Sequence, residues 1–188
     1  DAFVKGQDIH TRTAAEINNV PFEQVTPAMR RSAKAVNFGI VYGISSFGLA
    51  RNTGVSRREA DAYIATYFER YPKVKAFMEE CVRRGYELGY VETLFYRRRE
   101  LNELRSTNRN IRSFGERAAM NTPVQGTAAD IIKLAMVRVQ KELTEGGYQA
   151  RLILQVHDEL VVECPVAEAD AVSVLLRNAM EQIVTLSV

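Results

Sequence analysis

The sequence predicts an α+β fold that is mostly helical, with small antiparallel hairpins set among the helices. Apolar residues recur at helical spacing, as in Met29, Ala33, Val36 and Ile40, which fall on one stripe at about 100° per residue. The period changes over 89–101, where Tyr90, Val91, Thr93, Leu94, Phe95 and Tyr96 favour strand. It changes again over 151–163, RLILQVHDELVVE, which reads as two buried strands around a tight turn with His157, Asp158 and Glu159 at its tip.

Residues 8–19 read as a short helix that Asp8 or Thr11 caps and Val20-Pro21 breaks. Thr26-Pro27 opens a second helix, with proline in the first turn where its missing donor costs nothing, and Gly43 ends it. A short helix over 44–53 stops at Gly54. Ser56-Arg57-Arg58-Glu59 is a capping-box pattern. It starts a helix to Arg70 that buries Ala60, Tyr63, Ile64, Tyr67 and Phe68. After Tyr71-Pro72 another helix runs to Leu88. Arg105, Arg109 and Arg112 follow at helical spacing on one face. Pro123 and Gly146-Gly147 bracket a long helix over 127–145, with Ala128, Ile131, Ile132, Ala135 and Val139 as its core face. A last helix over 166–183 points Val172, Leu175, Leu176 and Met180 inward.

With 188 residues, 46% of them hydrophobic, the chain can bury a core. It has no run of 18 apolar residues, so no membrane span is expected. The start, DAFVKGQDIH, lacks a basic region followed by an apolar run, so no signal peptide is expected. Cys81 and Cys164 are too few for a disulfide framework or a zinc site. A reduced, cytoplasmic setting and a monomer are expected.

The net charge of +2 hides a polarity. Residues 97–117 hold seven Arg and three Glu, a net +4, whereas 139–188 hold three Lys or Arg and eight Asp or Glu, a net −5. One part suits a polyanion and the other suits cations, unless both are chance clusters on solvated faces.

On the second helix, Arg30, Lys34, Phe38 and Tyr42 recur every fourth residue. Arg takes phosphate by a fork and Lys as a point charge, and aromatic rings stack on a base or sugar. The same spacing also serves an ordinary amphipathic helix. Arg97-Arg98-Arg99 beside aromatic residues, and the Arg105/Arg109/Arg112 face, suit phosphates. Asp158 and Glu159 belong at an exposed tip or on a metal, because burying unpaired carboxylates is costly.

RRSAKAVNFGIVYG, residues 30–43, resembles the fingers helix of family A DNA polymerases of the bacterial DNA polymerase I type. QVHDE at 155–159 resembles that family's palm metal motif, and RAAMNTPVQGTAAD, with Arg117, Asn121 and Gln125 four apart, a third motif. The resemblance covers nearly the whole chain. It implies fingers-like helices over 1–118, with the hairpin near 90–101, and a partial palm over 119–188. It implies template-directed extension of a primer from deoxynucleoside triphosphates.

Residue by residue, the resemblance implies that Arg30, Lys34 and His10 hold the triphosphate, with Lys34 stabilising or protonating the leaving pyrophosphate. Phe38 then packs on the incoming sugar and base, and Tyr42 stacks near the template base. Gly43, Arg117, Asn121, Gln125, Gln155 and His157 lie along template–primer DNA, and amides there can sense base pairs through minor-groove acceptors. Asp158 is implied as a Mg²⁺ ligand and Glu159 as its support. Phe at position 38 implies discrimination against dideoxynucleotides.

The family's other metal-binding Asp lies in a DYSQIELR-type motif, which this sequence lacks, and the chain has no Trp for the family's Gly-x-x-Trp ending. A fragment that does not polymerise by itself is therefore expected. Tyr96 stands where the family has Gly, so a differently shaped turn is expected there. Two other readings compete: a non-catalytic helical DNA-binding module, and a relative of single-subunit RNA polymerases.

Overall fold

The computed structural model describes residues 4–186. By internal contacts the chain forms two units. Among the described residues, one holds those up to Glu92 together with Arg98–Pro123, and the other holds Thr93–Arg97 and residues 124–186. The fold class is α+β and mostly helical, with eight α-helices and two two-stranded antiparallel sheets among the described residues.

In the first unit, α1 (Ile9–Asn18) starts where the Asp8 carboxylate accepts the His10 amide at 2.9 Å. Helix α2 (Pro27–Val41) starts on the Thr26 hydroxyl, with Pro27 in its first turn. It buries Ala33, Val36 and Ile40, as the stripe predicts, and also Asn37. Ser45 caps α3 (Ser46–Thr53), so that helix starts two residues later than the spacing suggests. Gly54 ends it in the left-handed region. Both halves of the Ser56/Glu59 capping box form at α4 (Arg57–Arg70), and α5 (Pro72–Leu88) follows. Val36, Ile40, Leu49, Ala60 and Tyr67 make one core, with Tyr63, Ile64 and Phe68 packed against it.

Strands β1 (Tyr90–Glu92) and β2 (Arg98–Glu100) pair antiparallel, Val91 opposite Arg99. Val91, Leu101 and Leu104 pack with Ala118 and Ala119 of α6 (Arg109–Asn121). Arg105 does not share a helix face with Arg109 and Arg112: it closes a separate 3-10 turn, Asn102–Arg105, and Asn108 caps α6 after it. A polar stretch, Ser106–Asn108, with side chains that bond nearby amides, outcompetes helix continuation there. A π-helical turn spans Thr122–Gly126. Pro123, which has no N–H to give an α-helical ladder, sits in it.

In the second unit, Thr93–Arg97 is a turn and not the strand its β-branched and aromatic residues suggest. The Thr93 hydroxyl accepts from the amides of Phe95 at 3.3 Å and Arg97 at 3.2 Å, which curls the backbone. Tyr96 takes φ +62° in this turn. The premise of the expected difference in the turn, that Tyr avoids positive φ, fails on that angle. The ring is 81% exposed, so only the backbone bears the strain.

Helix α7 (Thr127–Glu145) has its predicted bounds, yet Ala128 is exposed and Asp130 is buried in its first turns. Arg97 Nε donates to Asp130 Oδ1 at 2.6 Å, while Oδ2 is buried without a hydrogen-bond partner. The charged bond offsets part of the cost of burial. Ala135, Val139, Leu143 and Leu160 form the core with Val172 and Ala179 of α8 (Ala169–Glu181).

Strands β3 (Arg151–Val156) and β4 (Glu159–Glu163) form a hairpin. Leu152 pairs with Val162 and Leu154 with Val161, so Ile153 is an extra residue, a bulge. Leu160 is buried and Leu152 and Val162 are half-buried, but Ile153, Leu154, Val156 and Val161 are exposed. The expectation of two buried strands is thus corrected. With two strands and one covered face, alternation leaves the other face to solvent. No helix among the described residues is long and apolar enough to cross a membrane.

Candidate functional site

Helices α1 and α2 bring five of the predicted residues to one place. Lys34 Nζ lies 5.7 Å from the Phe38 ring centre. The Phe38 and Tyr42 rings stack at 5.9 Å, and His10 tilts against Phe38 at 5.5 Å. Both aromatic rings are exposed on one side, at 43% and 41%, while the stripe on the opposite side of α2 is buried. The face therefore runs in order from guanidinium to ammonium to two flat rings, with an imidazole alongside.

Asp8, expected only as a helix cap, and Asn37, which no motif marked, hold this face. Asp8 Oδ2 accepts from Arg30 Nε at 2.5 Å and from the Thr11 hydroxyl at 2.9 Å. The Arg30 guanidinium, with the Thr11 and His10 donors, holds the Asp8 carboxyl far below the usual carboxylate range. Asn37 Nδ2 lies 3.0 Å from His10 Nδ1 and 3.1 Å from Thr13 Oγ1. Asn37 Oδ1 is buried without a partner, a cost of about 1–3 kcal/mol that an apolar side chain would avoid. Burial, aided by the Arg30 and Lys34 charges and opposed by Asp8, pushes the His10 pKa down. The ring is therefore a neutral hydrogen-bonding group at neutral pH.

For these two roles the sequence signals differ: Asp8 was legible as a cap but not as the partner of Arg30, and Asn37 left a signal in its spacing. Asn37 follows Ala33 by four and precedes Ile40 by three, so a polar residue lies on the buried stripe. The Asp8–Arg30 pair spans 22 residues, and no spacing rule reaches that far.

Gly43 and Arg117 also meet. Gly43 has φ +71°, and a Cβ there would collide with Met120 and come within 3.2 Å of Arg117 Cγ. The positive φ accounts for glycine at this position, and the close approach of α6 adds to it. Arg117 and Asn121 lie one turn apart on α6, while Gln125 lies in the π-helical turn beyond its end. Turns of this kind often mark functional sites.

The basic triplet is engaged within the chain. Arg97 bonds Asp130 and the Gly126 carbonyl, and Arg98 pairs with Glu92 at 2.9 Å and lies over the Tyr90 ring at 4.4 Å. Arg99 reaches the Thr122 hydroxyl at 3.5 Å.

In the second unit, the β3–β4 turn is two residues long, His157 and Asp158, between the paired Val156 and Glu159. His157 takes φ +53°, and Gln155 Nε2 donates to its carbonyl. A non-glycine residue held there is strained and is often found at working sites. Asp158 and Glu159 are both exposed. They supply hard carboxylate oxygens of the kind that suits Mg²⁺, so the donor chemistry fits that ion. No group of three or more His, Cys, Asp or Glu side chains placed to hold a metal occurs among the described residues.

Comparison with known proteins shows the family. The family model for DNA polymerase family A matches residues 1–188. DNA polymerase I of Bacillus caldotenax is 55% identical over 188 residues, and that of Streptococcus pneumoniae is 54% identical over 188 residues. Each alignment covers 100% of this chain and 21% of the relative. The chain thus spans about a fifth of the length of these curated relatives. A solved structure, the POL domain of Pol1 from M. smegmatis in complex with DNA primer-template and dNTP, aligns with a TM-score of 0.91 at 41% identity. That alignment covers 100% of this chain and 33% of the solved chain. The chain belongs to DNA polymerase family A.

Proposed function

We propose that this chain is the nucleotide-selecting and part of the catalytic portion of a template-directed DNA polymerase in replication or repair. The observation that carries this reading is the ordered face of α2, Arg30, Lys34, Phe38 and Tyr42, with His10 beside it. In this reading residues 1–118 serve as fingers and 119–188 as part of the palm. The partners are template–primer DNA and deoxynucleoside triphosphates, as in the complex of the M. smegmatis relative. The protein works as a cytoplasmic monomer.

In the reaction, the primer 3′ hydroxyl attacks the α-phosphate and pyrophosphate leaves. Arg30 and His10 bind the triphosphate, and Lys34 offsets charge on, or protonates, the departing pyrophosphate. Phe38 lies against the sugar and base, and Tyr42 near the template base. Gly43, Arg117, Asn121, Gln125, Gln155 and His157 follow the duplex. Asp158, supported by Glu159, would hold Mg²⁺. Bound there, the ion supplies charge stabilisation for the attacking and leaving oxygens. These two acids are too few for a two-ion site, so the 188 residues alone are expected not to extend a primer.

Lys34→Ala in the intact polymerase tests the assignment. Loss of one preorganised cation at a developing charge is expected to slow single-nucleotide incorporation by about 100-fold or more, with template–primer binding kept. Unchanged turnover would remove Lys34 from the chemistry.

A further inference from the structure

We propose that Asn37 is a positioning residue: it holds the His10 ring with Nδ1 as acceptor, leaving Nε2–H as the donor for a triphosphate oxygen. This rests on the proposed assignment of His10 to the triphosphate.

Asn37 is 6% exposed and sits between His10 Nδ1, at 3.0 Å, and Thr13 Oγ1, at 3.1 Å, from the same amide nitrogen. Those distances alone allow two arrangements. A half-turn of the amide would present its oxygen instead, and His10 Nδ1 would then have to donate.

One arrangement leaves fewer buried groups unpaired. As placed, the two N–H groups of the amide meet two acceptors, His10 Nδ1 and Thr13 Oγ1, and Oδ1 is the atom without a partner. Turned over, the oxygen would face both groups and the NH₂ group, with its two donors, would take the unpartnered place. Buried N–H groups without an acceptor are rarer than carbonyl oxygens without a donor, so the NH₂ group meets Thr13 and His10. His10 Nδ1 then carries no proton, and the proton of the neutral ring sits on Nε2.

The direct test uses the intact polymerase that contains this segment, labelled with ¹⁵N-histidine, with the His10 signals identified by their loss in His10→Gln. At about pH 8, above the ordinary histidine pKa, the ring is expected to be neutral and protonated at Nε2. A ring protonated at Nδ1 would overturn the proposal, and that result needs no substitution in the hydrogen-bond chain. The functional arm is a double-mutant cycle. Asn37→Leu is expected to raise the KM for deoxynucleotide about fivefold, the scale of one hydrogen bond, with kcat little changed. In a His10→Ala background it should add nothing. An equal rise in that background would assign Asn37 to packing alone and overturn the proposal. A His10→Ala enzyme with unchanged KM would sink the triphosphate assignment itself, and the role of Asn37 with it, whatever tautomer the spectrum shows.

Discussion

Asp8 accepts a hydrogen bond from Arg30 Nε at 2.5 Å, joining the start of α1 to the first turn of α2. That bond uses one of the five N–H groups of the guanidinium and leaves its two terminal nitrogens to meet an anion. Asp8 also caps α1 at the His10 amide. One carboxylate therefore orients Arg30 and fixes the backbone that carries His10.

Asp8→Asn tests this link, because Asn remains a good cap while losing the charge. The folded Asp8 pKa lies below the unfolded value. Its stabilisation is therefore fully present above the unfolded pKa of about 3.9 and is lost as pH falls toward the folded value. The Tm gap between wild type and Asp8→Asn is expected to be constant from neutral pH down to about 5 and to shrink below about 4. Both partners are partly exposed, so the gap should also shrink in high salt. A gap that is unchanged in acid would mean that the pair contributes nothing.

Tyr96 holds φ +62° with its side chain mostly in solvent. Tyr96→Gly is expected to stabilise the protein by about 0.5–1 kcal/mol, since relief of left-handed strain outweighs the added freedom of the unfolded chain. Urea denaturation would show it as a higher midpoint at unchanged slope. A lower midpoint would show that the Tyr96 ring contributes more than its exposure suggests.

Phe38 lies between His10 and Tyr42, where the proposed function puts the incoming sugar. By the family resemblance, an unhydroxylated ring there implies discrimination against dideoxynucleotides. Phe38→Tyr in the intact polymerase is expected to relax it, read as the ratio of deoxy to dideoxy incorporation. An unchanged ratio would take Phe38 away from the sugar.

What the sequence disclosed divides by the range of the interaction. Local signals were legible: the Thr26-Pro27 start of α2, the Ser56/Glu59 capping box and the bounds of α7 all lie within one turn of the residues that cause them. So was the α2 face, because helical spacing alone aligns Arg30, Lys34, Phe38 and Tyr42. Hydrogen bonds between distant residues were not legible. Asp130 is buried at a position that reads as solvent-facing, because Arg97 pairs with it from 33 residues away. Thr93 curls a stretch whose composition favours strand, because its hydroxyl competes locally for amides. The bulge at Ile153 is a property of pairing and not of composition.

The decisive measurement is primer extension with the intact polymerase, wild type beside Asp158→Ala, with Mg²⁺ and all four deoxynucleotides. The wild type is expected to extend the primer and the variant to lose about 100-fold or more, the scale of losing a group that acts only in the transition state, while template–primer binding is retained. Equal extension by both would remove the β3–β4 turn from the chemistry. Binding without extension by either would make the chain a DNA-binding module instead of a polymerase.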